Sequence, residues 1–544
     1  NFDLMSLVGK FSALFPAGFY YKTFMWPAKL WKTYEHVIRK ASGLGEAPPS
    51  PDPEWYEKTH EHCDVLVVGA GPSGLMAALT AARSGARVLI ADEQEEFGGR
   101  LLSDTEPIDG MSASDWLEQS LGALKACDEV TLLPRSTVFG YHDGNFLTIN
   151  ERLTDHLPPA QRQGPRERLY RVRAKHVILA TGAHERPIPF GGNDRASVML
   201  ASAVSTYVNR YAVRLANRAV VFTNNDGAYQ TALDLQATGI TVVRVVDCRA
   251  SSAGDIVDRV RSAGIPIDFQ SVLAQSKGGQ KVRAAVIQTL SADGQHLVGQ
   301  PVTVDCDLIA VSGGWNPAVH LLAQSGGKVQ WNDAKACFVP HVSVQSQTSV
   351  GAANATFALN DCLAEGAAAG AAAVRSLEFE VPEPVVPQAA ALRETPLQAL
   401  WRIPLELKPW GGPKQFVDFQ NDVSVADIYL AVREGFHSVE HVKRYTALGF
   451  GTDQGKTGNI VGMAVLAEAL DKDIPSTGTT TFRPNYTPVT FGCIAGTDIG
   501  NVLFDPVRKT ALHQWHQERG ALFENVGQWH RPWYYPRDQE SMQE

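Results

Sequence analysis

The stretch that most constrains this chain runs from Asp64 to Glu93. Val65 to Val68 is a short apolar run of the kind a buried parallel strand requires. Gly69, Gly71 and Gly74 follow at G-x-G-x-x-G spacing, with Pro72 and Ser73 between the last two. The first glycine permits a tight turn, the second lets backbone approach a pyrophosphate, and the third lets the following helix pack closely on the strand. The helix N-terminus offers unpaired N–H groups and a positive dipole end to the phosphates. After an alanine-rich helix, Arg83-Ser-Gly85 turns the chain into a second apolar strand that ends in Asp92 and Glu93. An acid there accepts hydrogen bonds from an adenosine ribose and favours NAD or FAD over NADP. With strand, turn, helix, strand and acid in register, the segment is expected to bind a dinucleotide. The competing expectation is a degenerate unit that kept its turn and lost its ligand.

A chain of 544 residues is long enough for roughly three or four domains of about 150 residues. Its 44% hydrophobic and 20% charged content is that of an ordinary globular protein. The net charge of −9 and the lack of Lys/Arg clusters give no reason to expect nucleic acid. No run approaches the roughly 18 apolar residues of a membrane span. The chain starts at Asn1 without a signal-peptide pattern, so a fragment or a processed product is expected. Seven scattered cysteines contain no C-x-x-C, which excludes a redox dithiol and an ordinary cysteine-ligated cluster or zinc site. Reduced, mostly buried thiols in a cytoplasmic protein are the simplest expectation.

Residues 1–53 form an aromatic arm and linker. Phe15 to Pro27 is dense in large side chains, and Leu30, Trp31, Tyr34, Val37 and Ile38 suit a short amphipathic helix. Packing on the chain's own body and packing against another subunit are equally open. Pro48 to Pro53 is a stiff extended linker. A first dinucleotide-binding domain is expected over 54–217 plus 300–377. Residues 100–170 read as a less regular excursion of helix and strands. Glu167 to Ala180 reads as a polar-alternating strand followed by a buried one, ending in Ala180-Thr181-Gly182. That A-T-G resembles the second landmark of the two-dinucleotide-domain oxidoreductases, where the chain crosses into an inserted domain. The insert is expected over 218–299. Its strand–turn–helix–strand unit carries Thr223, Asn225 and Ala228 at the glycine positions, and its closing strand ends in Asp247. Side chains at the first two positions crowd a pyrophosphate, so a structural relic is expected.

Asp307 to Pro317 reads as the return landmark, and Gly351-Ala-Ala-Asn354 with the helix from Asp361 to Gly370 closes the first domain. The resembling flavin enzymes carry Gly-Asp at that turn, the Asp holding the ribityl chain. Here Ala352 follows Gly351, which favours NAD over FAD. Gly99 and Arg100, Thr181 and Gly182, and Gly351 and Asn354 complete the residues expected around the cofactor. The implied fold is α/β: a two-dinucleotide-binding-domain, Rossmann-like, flavoprotein-type fold with a small C-terminal helical module.

A linker over 378–412 leads to that module, expected over 413–475, with Ser424 as a helix cap. The module resembles the bacterioferritin-associated-ferredoxin-like unit of some amine-oxidising dehydrogenases, in which four cysteines hold a [2Fe–2S] cluster. The matching positions here are Asp418, Gln420, Asp453 and Gly458, none of which replaces a thiolate. The scaffold is kept without the cluster. With that loss, the runs Lys443 to Asn459, Phe19 to Pro27, Gly478 to Pro484 and Trp529 to Pro536 resemble the alpha subunits of heterotetrameric sarcosine oxidases, over essentially the whole chain. Those subunits also carry a ferredoxin-like N-terminal segment and a folate-binding domain after the Tyr-Tyr-Pro stretch. Residues 476–544 are therefore expected to lead to a missing domain, in the middle of a larger subunit or in a split or shortened member.

The resemblance implies a complex with beta, gamma and delta subunits. Sarcosine is oxidised on an FAD-bearing beta subunit, and electrons pass to FMN at the alpha–beta interface and then to oxygen. The products are glycine, hydrogen peroxide and formaldehyde, or methylene-tetrahydrofolate when tetrahydrofolate takes the one-carbon unit. This chain is expected to bind NAD and help seat FMN, with no catalytic residue, metal, nucleic acid or membrane of its own. Two alternatives stand beside it: an FAD-containing subunit of a secondary-amine or opine dehydrogenase, and a non-catalytic scaffold with structural NAD.

No nucleophile elbow and no H-E-x-x-H occurs. His513 and His516 share a helix face and are expected to be polar-face residues rather than a metal pair. His184 and Glu185 either orient the cofactor or serve as structural caps. Lys443 and Arg444 are expected on a solvated helix face rather than at an FMN phosphate. Thr477 to Thr490 reads as an extended loop without assignable chemistry.

Overall fold

The strand that leads into the glycine turn is longer than its apolar end. Tyr56–Val68 (β1) runs thirteen residues, of which the last six are buried. The helix Pro72–Ala82 (α1) follows, then Val88–Ala91 (β2), Val130–Leu133 (β3), Ser136–His142 (β4), Phe146–Arg152 (β5) and Glu167–Leu179 (β6). They form a sheet in the order β3-β2-β1-β6-β5-β4, with Gln347–Ser349 added beside β6. β1 and β6 pair in parallel throughout, from Tyr56 opposite Glu167 to Val68 opposite Leu179.

The other edge of β6 is shared. β5 pairs antiparallel with Glu167 to Arg173, and Gln347–Ser349 pairs in parallel with Val177 to Leu179. The polar-alternating run and the buried run are therefore two halves of one strand. The alternating half belongs to an antiparallel meander with a wetter face, and the buried half to a parallel sheet covered on both sides.

A second sheet is parallel throughout. Its strands are Val198–Leu200 (β7), Arg218–Thr223 (β8), Thr241–Asp247 (β9), Ile267–Asp268 (β10) and Leu308–Ser312 (β11), in the order β10-β9-β8-β11-β7. The helix Gly227–Ala237 (α2) follows β8. The sheet reaches to either side of 218–299 in sequence because β7 and β11 are recruited from the crossing segments. Those segments also pair with each other, Ala183–Glu185 against Trp315–Pro317. The helix Leu359–Ser376 (α3) returns to the first sheet and packs on α1. Glycines set its approach: a Cβ on Gly366 lies 2.2 Å from the Ser73 carbonyl oxygen, and one on Gly370 lies 2.4 Å from that of Ala77.

Farther on, Phe416–Asp418 and Val423–Ser424 form a hairpin, followed by helices Val425–Arg433, Val439–Thr446 and Asn459–Ala469. Val417, Ile428, Val442, Met463 and Leu466 fill their core. Ser424 is the N-cap of the first helix, and the Asp427 carboxylate accepts its N–H at 2.8 Å.

The computed structural model describes residues 26–41, 43, 45, 50–381, 383–407, 413–480, 482–497 and 507–539. Residues 55–496 group as one unit, and 1–54 with 497–544 as another. The second unit holds the helix Trp31–Ala41, the helix His513–Glu518 and a three-stranded sheet with Trp529–Tyr534 at its centre. The aromatic run from Phe15 to Met25 lies outside the described residues. No helix among the described residues is long and apolar enough to cross a membrane.

Candidate functional site

The three fingerprint glycines do different work. Gly69 has φ +97°, and a Cβ there lies 2.3 Å from the Ala180 carbonyl oxygen. A Cβ on Gly74 lies 2.0 Å from the carbonyl oxygen of Gly69. Both glycines are demanded by the fold itself. A Cβ on Gly71 meets nothing within 4 Å, so the backbone at this point borders open space. Gly71 is the N-cap of α1, and Pro72 occupies its first turn, where a missing N–H costs nothing. The next N–H groups, of Ser73 and Gly74, have no acceptor within the helix, as at any helix N-terminus. The Gly98-Gly99 loop borders the same turn. Gly98 donates to the Ala70 carbonyl at 2.9 Å, and a Cβ on Gly99 lies 3.0 Å from Gly71 Cα. Arg100 is held away from the turn by Asp104 at 2.9 Å and by the Phe357 carbonyl at 2.9 Å.

The two adjacent acids are separated by their roles. Asp92 is buried, and its carboxylate accepts the N–H of Ala70 at 2.7 Å and of Gln94 at 2.8 Å. Burial pushes its pKa up, while those two bonds pull it back. Asp92 thus builds the turn. Glu93 is exposed and lines a groove with Arg135, Thr137, Asn150, Arg152 and Thr487.

Thr181 donates to the Ala318 carbonyl at 2.9 Å, and Gly182 accepts the Ala318 N–H at 2.9 Å, which ties the A-T-G turn to the return segment. Glu365 of α3, which carried no sequence signal, engages two expected cofactor residues. Its carboxylate accepts the Gly351 N–H at 2.8 Å and the Asn354 amide at 2.6 Å.

Glu185 is buried and accepts the N–H of Ser202 at 2.7 Å and its hydroxyl at 2.6 Å, so it caps the helix Ala201–Asn209. His184 belongs to a cluster that sequence spacing could not reveal. Burial, with the charge of Lys456 nearby, lowers its pKa to about 4. Burial, with His184 and Lys456, lowers that of His320 to about 3. The His320 ring stacks on Tyr486 at 4.3 Å, and Lys456 donates to the Tyr486 carbonyl at 2.8 Å.

At the second, worn fingerprint the polar groups satisfy one another. Thr223 donates to the Asn225 carbonyl at 2.8 Å, and Asn225 donates to the Ser312 hydroxyl at 3.0 Å. Asp247 is fully buried and accepts Tyr229 at 2.7 Å and Arg249 at 2.7 Å. Arg249 also pairs with Asp226 at 2.7 Å. The linker crosses this turn: Thr395 donates to Asp226 at 2.7 Å and Gln398 to the Asn224 carbonyl at 3.1 Å. The unit is closed by its own side chains and by the linker.

In the helical module, hydrogen bonds join the loops that carry Asp418, Gln420 and Asp453. Asp418 accepts the N–H groups of Gln420 at 2.9 Å, Asn421 at 2.9 Å and Gly449 at 2.7 Å. Gln420 accepts the Asp453 N–H at 2.8 Å and donates to Thr452 at 2.9 Å. A Cβ on Gly458 lies 2.7 Å from the Val417 carbonyl oxygen. Lys443 is half-buried with its ammonium over the Phe450 ring at 5.8 Å, and Arg444 is exposed and pairs with Glu440 at 3.0 Å. In the other unit His513 is buried against Phe523, while His516 is partly exposed and contacts Tyr535. Among the described residues no group of three or more His, Cys, Asp or Glu is arranged to hold a metal, and the seven cysteines are free.

Residues 63–369 match the family model of the pyridine nucleotide-disulphide oxidoreductases, and residues 412–497 match the sarcosine oxidase A3 domain. The chain is 44% identical over 541 residues to sarcosine oxidase subunit alpha of Rhizobium meliloti (strain 1021), covering 99% of this chain and 53% of that protein. It is 43% identical over 513 residues to sarcosine oxidase subunit alpha of Corynebacterium sp. (strain U-96), covering 92% and 52%. It thus spans about half the length of these curated relatives. L-proline dehydrogenase from P. horikoshii shares the fold, with TM-score 0.60 at 18% identity over 83% of this chain and 82% of that one. The chain belongs to the pyridine nucleotide-disulphide oxidoreductase family and carries, after that domain, the A3 domain of the sarcosine oxidase alpha subunits to which it is related.

Proposed function

We propose that this chain is the NAD-binding part of the alpha subunit of a sarcosine oxidase complex. The observation that carries the reading is the open cradle at Gly71, bordered by the N-terminus of α1, in a chain related along 99% of its length to such a subunit. Backbone N–H groups of α1 bind the pyrophosphate, and Glu93 accepts a hydrogen bond from the adenosine ribose. Asp92, Gly99 and the A-T-G turn hold the cradle in shape.

The turn at Gly351 supports NAD over FAD. Ala352 offers no acid to a ribityl hydroxyl, and Glu365 already engages the Gly351 N–H and the Asn354 amide. NAD has no ribityl chain to hold. Bound NAD supplies a hydride-accepting nicotinamide.

In the complex the amine is oxidised on an FAD-bearing beta subunit, FMN lies at the interface with this chain, and gamma and delta subunits complete the assembly. Sarcosine and oxygen yield glycine, hydrogen peroxide and formaldehyde, or methylene-tetrahydrofolate with tetrahydrofolate. The free thiols fit the cytoplasm. Glu93→Ala is expected to weaken NAD binding about tenfold, the loss of roughly one charge-assisted hydrogen bond. The chain alone is expected to leave sarcosine unoxidised and to support its oxidation once the partner subunits are added. Sarcosine oxidation by the chain alone overturns the reading.

A further inference from the structure

The outer face of the meander formed by β4, β5, β6 and the first half of β1 carries two rows of side chains without an acid. These rows turn away from Tyr141, Leu147 and Val172, which alternate with them and fill the core. In the first row His60 of β1 stands beside Arg171 of β6 and Thr148 of β5. In the second His62 stands beside Arg173, Phe146 and His142. Arg171 Nη1 lies 3.4 Å from His60 Nε2, and the Arg173 guanidinium lies 4.7 Å over the Phe146 ring. Arg173 also donates to the backbone carbonyls of Asp143 and Gly144. Neither guanidinium has a carboxylate partner among the described residues. Asp64, two residues beyond His62 on β1, is already held by Arg87 at 3.2 Å and Lys175 at 2.9 Å.

An apolar ridge borders these rows. The short helix Phe491–Ala495 is seated on the same face: Cys493 packs on Phe139 and Leu169, and Lys58 donates to the Ala495 carbonyl at 3.2 Å. Leu169 and Lys58 lie two residues from Arg171 and His60, so the helix runs beside the first row. Phe491 and Ile494 are three apart and share its outer side, where they are 90% and 46% exposed. Unpaired guanidinium groups beside exposed apolar side chains match a segment of the opposite pattern, with carboxylates next to an apolar residue. The chain's net charge of −9 repels a long polyphosphate, whereas a short acidic segment meets the local patch alone once salt screens charges beyond about 8 Å. We propose that this face docks an acidic segment of a partner subunit, with its carboxylates on Arg171 and Arg173 and an apolar side chain on Phe491. The proposal rests on the reading of this chain as one subunit of a complex.

The test is assembly of the full chain with the partner subunits of its complex, followed by analytical ultracentrifugation at about 0.05 M and about 0.5 M salt. Arg171→Glu combined with Arg173→Glu is expected to weaken assembly about a hundredfold at the lower salt and about tenfold at the higher, because exposed charges are screened. Arg171→Lys combined with Arg173→Lys keeps both charges and is expected to lose less than about threefold. Phe491→Ala is expected to cost about tenfold at either salt. A double glutamate variant that assembles like the unaltered chain overturns the docking face. Full-strength assembly by Phe491→Ala does so too, and because that side chain is 90% exposed this arm stands even if the glutamate variant misfolds. Binding of a fluorescent oligothymidylate by the unaltered chain, lost in the double glutamate variant, assigns the face to nucleic acid and overturns the proposal. An unaltered chain that joins no partner subunit overturns the subunit reading and this proposal together.

Discussion

Substituting Gly71 and Gly74 separates what the fingerprint does for the fold from what it does for the ligand. In Gly74→Ala the new methyl lies 2.0 Å from the Gly69 carbonyl oxygen and 3.1 Å from Ala180 Cβ. Backbone lies on one side and a packed strand on the other, so neither can yield cheaply. An overpacking cost of about 3–5 kcal/mol follows. In Gly71→Ala the methyl meets no protein atom within 4 Å, and φ of −73° with ψ of −175° suits any residue. Alanine is a poorer N-cap than glycine by some tenths of a kcal/mol, while the stiffer unfolded chain returns about 0.4–1 kcal/mol. These terms oppose each other, so the net change in stability stays below about 1 kcal/mol. The methyl instead takes space needed for the close approach of a pyrophosphate, and nucleotide affinity is expected to fall at least about tenfold. The assay is urea unfolding of the two nucleotide-free variants beside a binding titration. A Gly71→Ala chain that keeps its affinity, or that unfolds as early as Gly74→Ala, refutes the assignment of the cradle.

Two further outcomes are expected. His320 and His184 ionise near 3 and near 4 in the fold against 6.5 in the free side chain, so across that window the unfolded chain binds protons that the fold does not. Stability is full above about 6.5 and is lost as the pH falls toward the folded values; His320→Phe, which keeps the ring on Tyr486, is expected to make urea stability measured from pH 7 to pH 4 less steep, and an unchanged slope counts against the cluster. Asp418→Ala leaves three N–H groups of the module without their acceptor and is expected to cost about 3–5 kcal/mol in the same assay, whereas a loss below about 1 kcal/mol shows that the loops are held by something else.

The glycine turn was legible in the sequence because its backbone demands are largely local: Gly69 takes φ +97° and Gly74 packs against the Gly69 carbonyl within one strand–turn–helix unit, while the further clash of a Gly69 Cβ with Ala180 comes from a distant strand end. The division of labour between Asp92 and Glu93 was not. Which of two adjacent acids turns inward depends on the Ala70 N–H across the turn, and a residue order carries no sign of it. Glu365 and the His320–Tyr486–Lys456 cluster come from segments far apart in the chain or lack any motif, so no spacing marks them. The absence of thiolates in the helical module was plain from Asp418 and Gln420, but only the fold shows those side chains tying the loops together. The run from Glu167 to Ala180 read as two strands, because a single strand there changes neighbours halfway along one edge.

The most direct measurement is gentle denaturation of the purified chain, with the released nucleotide identified by chromatography and mass and counted against protein. The account predicts NAD at about one per chain and no flavin, since the first cradle is open while the second fingerprint is closed by Asp247, Arg249 and the linker at Thr395. Released FAD contradicts the argument from Ala352 and Glu365 and makes this chain a flavoprotein in its own right; two nucleotides per chain contradict the closed second site.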